Sequence, residues 1–193
     1  GRAEALQRSV ALESRPRPAA SGDGGKTGLG LIGAGMFAAG VLLPAVQSSG
    51  AFTPIGVCTS NGLSGRHAAD KFGFGYATTD VDQVIGDANI DLVAIATRHG
   101  SHARQTIRAL DAGKHVFVEK PLCLSRGELI DVIAAWERGG RNSRVMVGFN
   151  RRFAPLAAPL REFVQSAAEP ALIHYRVNAG ALPLDHWVHD PVD

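Results

Sequence analysis

The ten residues LGLIGAGMFA, Leu29 to Ala38, pass from an apolar run into glycine, alanine and glycine, then turn apolar again. Gly33, Gly35 and Ala38 stand in the pattern G-x-G-x-x-A, between an apolar strand-like run and an apolar helix-like one. That pattern suits phosphate chemistry. Gly33 supplies a tight turn, Gly35 leaves the backbone bare for a pyrophosphate, and Ala38 lets the helix lie close to its sheet. The amides of Gly35, Met36 and Phe37 then face the phosphates from a helix N-terminus, where the helix dipole favours negative charge. The same residues also fit a tight turn that holds no ligand. Their place at the first strand-to-helix junction of an alternating chain favours a dinucleotide.

A dinucleotide site usually adds an acid about 20 residues further on, to hold the ribose hydroxyls. Here the second strand ends GVCTSNG, with Thr59 and Ser60 and no carboxylate. Without that carboxylate nothing repels a 2′-phosphate, and Arg66 lies close by in sequence. The pattern leans to NADP and still admits NAD.

Positioning these residues takes alternating strands and helices. TGLGLI (27–32) reads as a buried strand and MFAAGVLLPAVQSS (36–49) as a helix kinked at Pro44, which removes one hydrogen bond. FTPIGVCT (52–59) is a strand, SGRHAADKFG (64–73) a short amphipathic helix and GYATT (75–79) a brief strand. DVDQVIGD (80–87) follows as a helix with Asp80 at its N-cap. DLVAIAT (91–97) is a continuous apolar strand of the kind buried on both faces of a parallel sheet. SHARQTIRALDAG (101–113) reads as a helix that starts on a Ser101 cap and ends at Gly113. KHVFVEKP (114–121) is a strand stopped by Pro121. SRGELIDVIAAWERGG (125–140) carries the capping-box pair Ser125 and Glu128, and SRVMVGFN (143–150) is the last strand of the series.

The economical architecture for residues 27–150 is an α/β doubly wound parallel sheet, the Rossmann arrangement. Residues 151–193 read as the beginning of an incomplete α+β domain. It opens with a helix in PLAAPLREFVQSA and continues with a strand, ALIHYRVNAG (171–180), that has one wet face. There His174, Arg176 and Asn178 alternate with Ile173, Tyr175 and Val177. Residues 1–26 begin with a possible short helix, and Ser14 to Lys26, rich in Arg, Pro, Ser and Gly, reads as a flexible linker or tail.

Bulk properties exclude several classes of function. With 45% hydrophobic and 20% charged residues the chain is ordinary globular material. Its 20 basic and 18 acidic residues give no reason to expect nucleic acid or an anionic membrane as partner. Cys58 and Cys123 are the only cysteines and read as buried free thiols of a reducing compartment, so the cytoplasm is the default location. No apolar stretch is long enough to cross a bilayer. His99 with His102, and His186 with His189, have metal-like spacing, but no cysteine or acid cluster joins either pair. No metal is expected.

HVFVEKPL (115–122) closely resembles the signature of the Gfo/Idh/MocA oxidoreductases. The likeness extends through GLIGAG, AADKFGF, IDLVAIAT, SHARQTIRALDAGKHVFVEKPL and VGFNRRFAP, over most of residues 28 to 193. GLSGRHAADKFGF and RVNAGALPLDHWVHDP are most similar to the subgroup fused behind a zinc-type alcohol dehydrogenase domain. The resemblance implies an NAD(P)-dependent two-domain enzyme that moves hydride between a nicotinamide and a sugar, cyclitol or related polyol. It implies that Lys120 lies beside the nicotinamide and the substrate hydroxyl, where an ammonium can polarise or relay the carbinol proton. Glu119 would hold that lysine and Pro121 would fix the backbone after it.

Thr97 matches the family's cofactor loop, while Arg98 stands where the family usually has proline and brings a charge that can meet a phosphate, a substrate acid or solvent. His102 fits the family's helix-start histidine, for which capping or packing is the plainer role. The sequence has Trp187-Val188 where the family commonly has Trp-Arg, and it ends at Asp193, ahead of the family's glycine-rich stretch and catalytic histidine. The expectation is therefore a C-terminally truncated member that keeps cofactor binding better than turnover. A homo-oligomer through the C-terminal sheet would also fit. Two rivals are a non-catalytic dinucleotide-binding sensor or scaffold, and an interaction fragment that pairs through the strand at 171–180.

Overall fold

The structure, a computed structural model, describes residues 8–11, 25–166, 169–170, 172–178 and 180–184. The chain divides into two compact units, Gly1–Val147 and Gly148–Asp193.

In the first unit the short apolar runs become strands β1 (Ser9–Ala11), β2 (Thr27–Ile32), β3 (Phe52–Cys58), β4 (Tyr76–Thr78), β5 (Leu92–Ile95), β6 (His115–Val118) and β7 (Val145–Val147). They form one seven-stranded sheet in the order β1-β4-β3-β2-β5-β6-β7. All neighbours are parallel except β1, which runs antiparallel to β4. Without β1, that order is the one in which two mononucleotide-binding halves diverge from a central strand. Helices α2 (Gly62–Phe72), α3 (Val81–Gly86), α4 (His102–Asp111) and α5 (Arg126–Arg138) connect the strands, with α1 (Leu43–Ser49) after β2.

The period of two along each strand sorts the core into two layers. Ile32, Val93, Ile95, Val116 and Val118 face α3, α4 and α5, meeting Val84, Ala103, Leu110, Val132 and Ala135. Leu29, Leu31, Val57 and Ala94 face the other way, against Leu43 of α1 and Ala68, Ala69 and Phe72 of α2. Each such large side chain, when fully buried, contributes about 1.5–3 kcal/mol relative to exposure.

Most element ends carry the chemistry expected of them. Asp80 Oδ1 accepts the Asp82 N–H at 2.9 Å, and Ser125 with Glu128 forms a complete capping box on α5. Helix α2 starts earlier than the sequence suggests because the Asn61 side chain caps it, accepting the Leu63 N–H at 2.9 Å. At α4 the expectation for Ser101 fails. Its hydroxyl lies 2.7 Å from Thr97 Oγ1 and donates to the Arg98 carbonyl at 3.0 Å, so it leaves the helix N–H groups uncapped by its side chain. At the other end Ala112 is the C-cap and Gly113, at φ +73°, is the first residue beyond it. Pro44 is accommodated by a π-helical turn, Ala38–Leu42, just ahead of α1. Leu43 donates five residues back to Ala38 there, and the widened turn makes room for the missing donor.

Two further expectations are overturned. Ser9–Ala11 is neither helix nor linker; it pairs with β4 in the register Ser9↔Thr78, Val10↔Ala77, Ala11↔Tyr76. Thr78 Oγ1 donates to the Arg8 carbonyl at 3.0 Å and Gln83 Nε2 to Ser9 Oγ at 2.9 Å. The open edge of β4 supplies unpaired backbone groups, and a short β-compatible tail satisfies them. Residues 1–7 and 12–24, the rest of the segment expected to be a linker or tail, lie outside the described set.

In the second unit a 3₁₀ turn, Asn150–Phe153, leads to α6 (Ala157–Ser166), as the apolar spacing predicts. The strand expected at 171–180 is absent from its described residues, and Leu172 to Asn178 are exposed. No strand lies in this unit among the described residues, so a strand at 171–180 would have no neighbour there to take its backbone hydrogen bonds. Among the described residues the sheet through which association was expected is not formed in this unit. His186, Trp187, Val188 and His189 lie outside the described residues. Among the described residues no helix is long and apolar enough to cross a membrane, and no group of His, Cys, Asp and Glu could hold a metal.

Candidate functional site

The sheet order reverses at β2, whose neighbours are β3 on one side and β5 on the other. In open parallel sheets the crevice at the carboxyl ends of such strands is where ligands bind. Hydrogen bonds hold those ends level. Gly33 N–H donates to the Cys58 carbonyl at 2.8 Å, Ala96 N–H to Ile32 at 2.8 Å and Glu119 N–H to Ile95 at 2.9 Å. The glycine turn, the Thr97 loop and the Glu119-Lys120 step therefore leave the sheet along one edge.

Gly33 and Gly35 differ in kind. Gly33 sits at φ +92°, and a Cβ there would come within 2.5 Å of the Ala96 carbonyl oxygen and 2.9 Å of Thr97 Cγ2. The fold requires glycine. At Gly35 an added Cβ would meet nothing within 4 Å, and the residue is exposed. Met36 beside it is 90% exposed, Phe37 is partly exposed, and Ala38 is buried. The first N–H groups of a helix have no intrahelical acceptor, so this turn offers donors to the crevice.

The residues at the end of β3 are divided. Thr59 is buried and its hydroxyl donates to the Asn61 carbonyl at 2.7 Å, so it belongs to the turn. Ser60 is exposed. Arg66 is exposed on α2, where its Nε lies 3.2 Å from Asp70 Oδ2 one helical turn on. Cys58 beneath them is inert: burial, with the Asp80 charge second, pushes its thiol up to about 11.

After β5, Thr97 Oγ1 lies 2.7 Å from Ser101 Oγ and 3.3 Å from Gln105 Oε1. Arg98 is exposed. His102 is wholly buried beneath this loop. Its Nδ1 is 2.7 Å from the Pro121 carbonyl oxygen and its Nε2 3.0 Å from that of Thr97. The ring is thus an internal tie and presents no atom to the crevice. A neutral imidazole donates from one nitrogen, so both carbonyls are bonded together only by the doubly protonated ring.

After β6, Glu119 is half-buried and Lys120 is exposed, followed by a cis peptide to Pro121. Burial raises the Glu119 carboxyl above its usual range, opposed by the Lys120 N–H, the Lys120 charge and the His102 charge. An exposed ammonium next to a carboxyl that partly resists ionisation can polarise a hydroxyl and exchange its proton. The sequence reading missed Asn61 and Gln105. Asn61, directly ahead of Gly62, carried a readable cap signal; Gln105 did not, since its meeting with Thr97 depends on the 3₁₀ turn His99–Ser101.

Residues 27–149 match the family model described as the Gfo/Idh/MocA oxidoreductase family, NAD-binding Rossmann fold. The chain is 30% identical over 129 residues to 1,5-anhydro-D-fructose reductase of Ensifer adhaerens, covering 67% of this chain and 37% of that protein. It is 28% identical over 158 residues to inositol 2-dehydrogenase of Salmonella typhimurium, covering 80% and 47%. Among solved structures it is similar to GenD2 from gentamicin A biosynthesis in complex with NAD, at 26% identity and a TM-score of 0.68, covering 77% of this chain and 42% of that one. The chain thus spans less than half the length of each of these relatives. With the strand order, the glycine turn and the Glu119-Lys120-Pro121 step in place, the chain belongs to the Gfo/Idh/MocA oxidoreductase family.

Proposed function

We propose that this chain is the nucleotide-binding part of an NAD(P)-dependent oxidoreductase acting on a sugar, cyclitol or related polyol. The observation that carries the reading is Gly35: nothing among the described residues occupies the space its side chain would fill, on a turn whose partner glycine is fixed by the fold. The amides of Gly35, Met36 and Phe37 hold the pyrophosphate, and Ala38 keeps the helix against the sheet. Thr97 and Arg98 border the site from β5. Ser60 and Arg66 hold the adenosine ribose, and the lack of a carboxylate at Thr59-Ser60 favours NADP. Thr59 shapes the turn, and His102 acts from beneath.

When bound, the nicotinamide accepts or returns hydride. Lys120 then polarises the substrate hydroxyl and carries its proton, and Glu119 steadies the ammonium. Relatives named as a 1,5-anhydro-D-fructose reductase and an inositol 2-dehydrogenase support the polyol class. Residues 27–150 form the nucleotide domain and 151–193 the opening of the substrate domain. The half-exposed Cys123 and buried Cys58, both free thiols, suit the cytoplasm.

The test is a titration of the chain with NADH and with NADPH, followed by nicotinamide fluorescence, beside Gly35→Asp. The variant should melt as the parent does, because the site is open. It should lose roughly a hundredfold in affinity, which is about 2.7 kcal/mol, as a carboxylate enters the phosphate position. Unchanged binding in Gly35→Asp, or no binding by the parent, overturns the reading.

A further inference from the structure

We propose that His102 is a positioning residue for Lys120, acting by tying the loop after β6 to the loop after β5. The proposal rests on the reading of Lys120 given above. A fully buried imidazole is costly unless its nitrogens are bonded, and an apolar side chain would fill the same space without that cost. Here both nitrogens lie against backbone carbonyls outside the helix that carries them: Thr97, five residues before, and Pro121, nineteen residues after.

The effect on Lys120 follows from what brackets it. On its N-terminal side the backbone is pinned by Glu119 N–H donating to Ile95. On its C-terminal side stands Pro121, which has no N–H and offers only its carbonyl. That carbonyl is the one His102 holds, at 2.7 Å. The Lys120 side chain is exposed, so its starting point is set by these two backbone anchors. The Thr97 loop is bracketed the same way, by Ala96 N–H on Ile32 and by His102 at the Thr97 carbonyl. One ring therefore spans the two loops, bonding one carbonyl when neutral and both when doubly protonated.

Two measurements on the 193-residue chain test this. The first needs no nucleotide: in His102→Gln, the backbone amide resonances of Arg98 and Lys120 should shift together while those of Gly33, Ala96 and Glu119 stay in place. Movement of only one loop, or of neither, overturns the tie. The second is a double-variant cycle with NADH fluorescence. His102→Leu should weaken NADH about tenfold on its own and clearly less than that in a Lys120→Ala background, because the share that acts through Lys120 is already lost there and only the share through the Thr97 loop remains. Losses that add indicate a general structural role and overturn the proposal. Should His102→Leu fail to fold, His102→Gln takes its place in the cycle. A parent chain that binds no NADH would refute the nucleotide site, and the amide measurement would still decide the tie.

Discussion

Around the turn after β2 the molecule has an inner side and an outer side. On the inner side Gly33 adopts a left-handed backbone, and a Cβ would strike the Ala96 carbonyl at 2.5 Å. On the outer side, two residues later, Gly35 has an ordinary backbone and open space beyond it. The two glycines look alike in the sequence. One is demanded by packing and the other by nothing among the described residues, and on the proposed function that difference separates a site from a fold. The same division runs through the neighbouring loops. Thr59 and His102 are turned inward and bonded to the backbone, whereas Ser60, Arg66, Arg98 and Lys120 are exposed along the edge.

The largest effect should come from the inner side. Gly33→Ala must accept a positive φ and displace the β5 end, at a cost of about 3 kcal/mol or more. For a chain of this size that lowers Tm by roughly 6–12 °C, read by circular dichroism. If Gly33→Ala kept the parent Tm and lost only nucleotide binding, the inner side would be no more structural than the outer one.

How far this division is legible in the sequence depends on the range of the interactions. Strands β2 to β6 are short apolar runs between turn signals, and their burial on both faces is a local property of the run. The capping box of α5 is local too, needing only Ser125 and Glu128. Ser9–Ala11 was hidden because its partner, β4, lies more than 60 residues away and nothing in three residues announces it. The segment at 171–180 shows the opposite failure. Its alternation is genuine, but alternation says what a strand would bury and not whether a neighbour is there to pair with it. For His102 the sequence supplied the residue and not its direction, since the Thr97 and Pro121 carbonyls converge on it only through the β5–β6 pairing.

A smaller effect should come from the outer side at Arg66. The side chain is solvent-exposed and already shared with Asp70, so its contribution to a 2′-phosphate is that of an exposed ion pair. Arg66→Ala should weaken NADPH about two- to fivefold, leaving NADH and Tm unchanged. Equal loss for both nucleotides would place Arg66 elsewhere on the cofactor and remove the basis for preferring NADP.

The smallest effect tests the residue on the boundary between the two sides. Glu119 is half-buried, and burial raises its carboxyl above the ordinary value despite the opposing Lys120 N–H and nearby charges. A raised acid holds its proton better in the folded chain than in the unfolded one. Stability therefore falls as pH climbs from the unfolded-state value, 4.5, through the folded one, and the full cost is present at neutral pH. Glu119→Gln removes that cost. At pH 7 the variant should melt above the parent, and the gap should close as pH falls to 4.5 and below. Its nucleotide-free stability thus improves while the ammonium of Lys120 loses the carboxylate beside it. A variant that melts below the parent at pH 7 would mean that Lys120 and His102 outweigh burial, and Glu119 would then belong with the groups held inward by the fold.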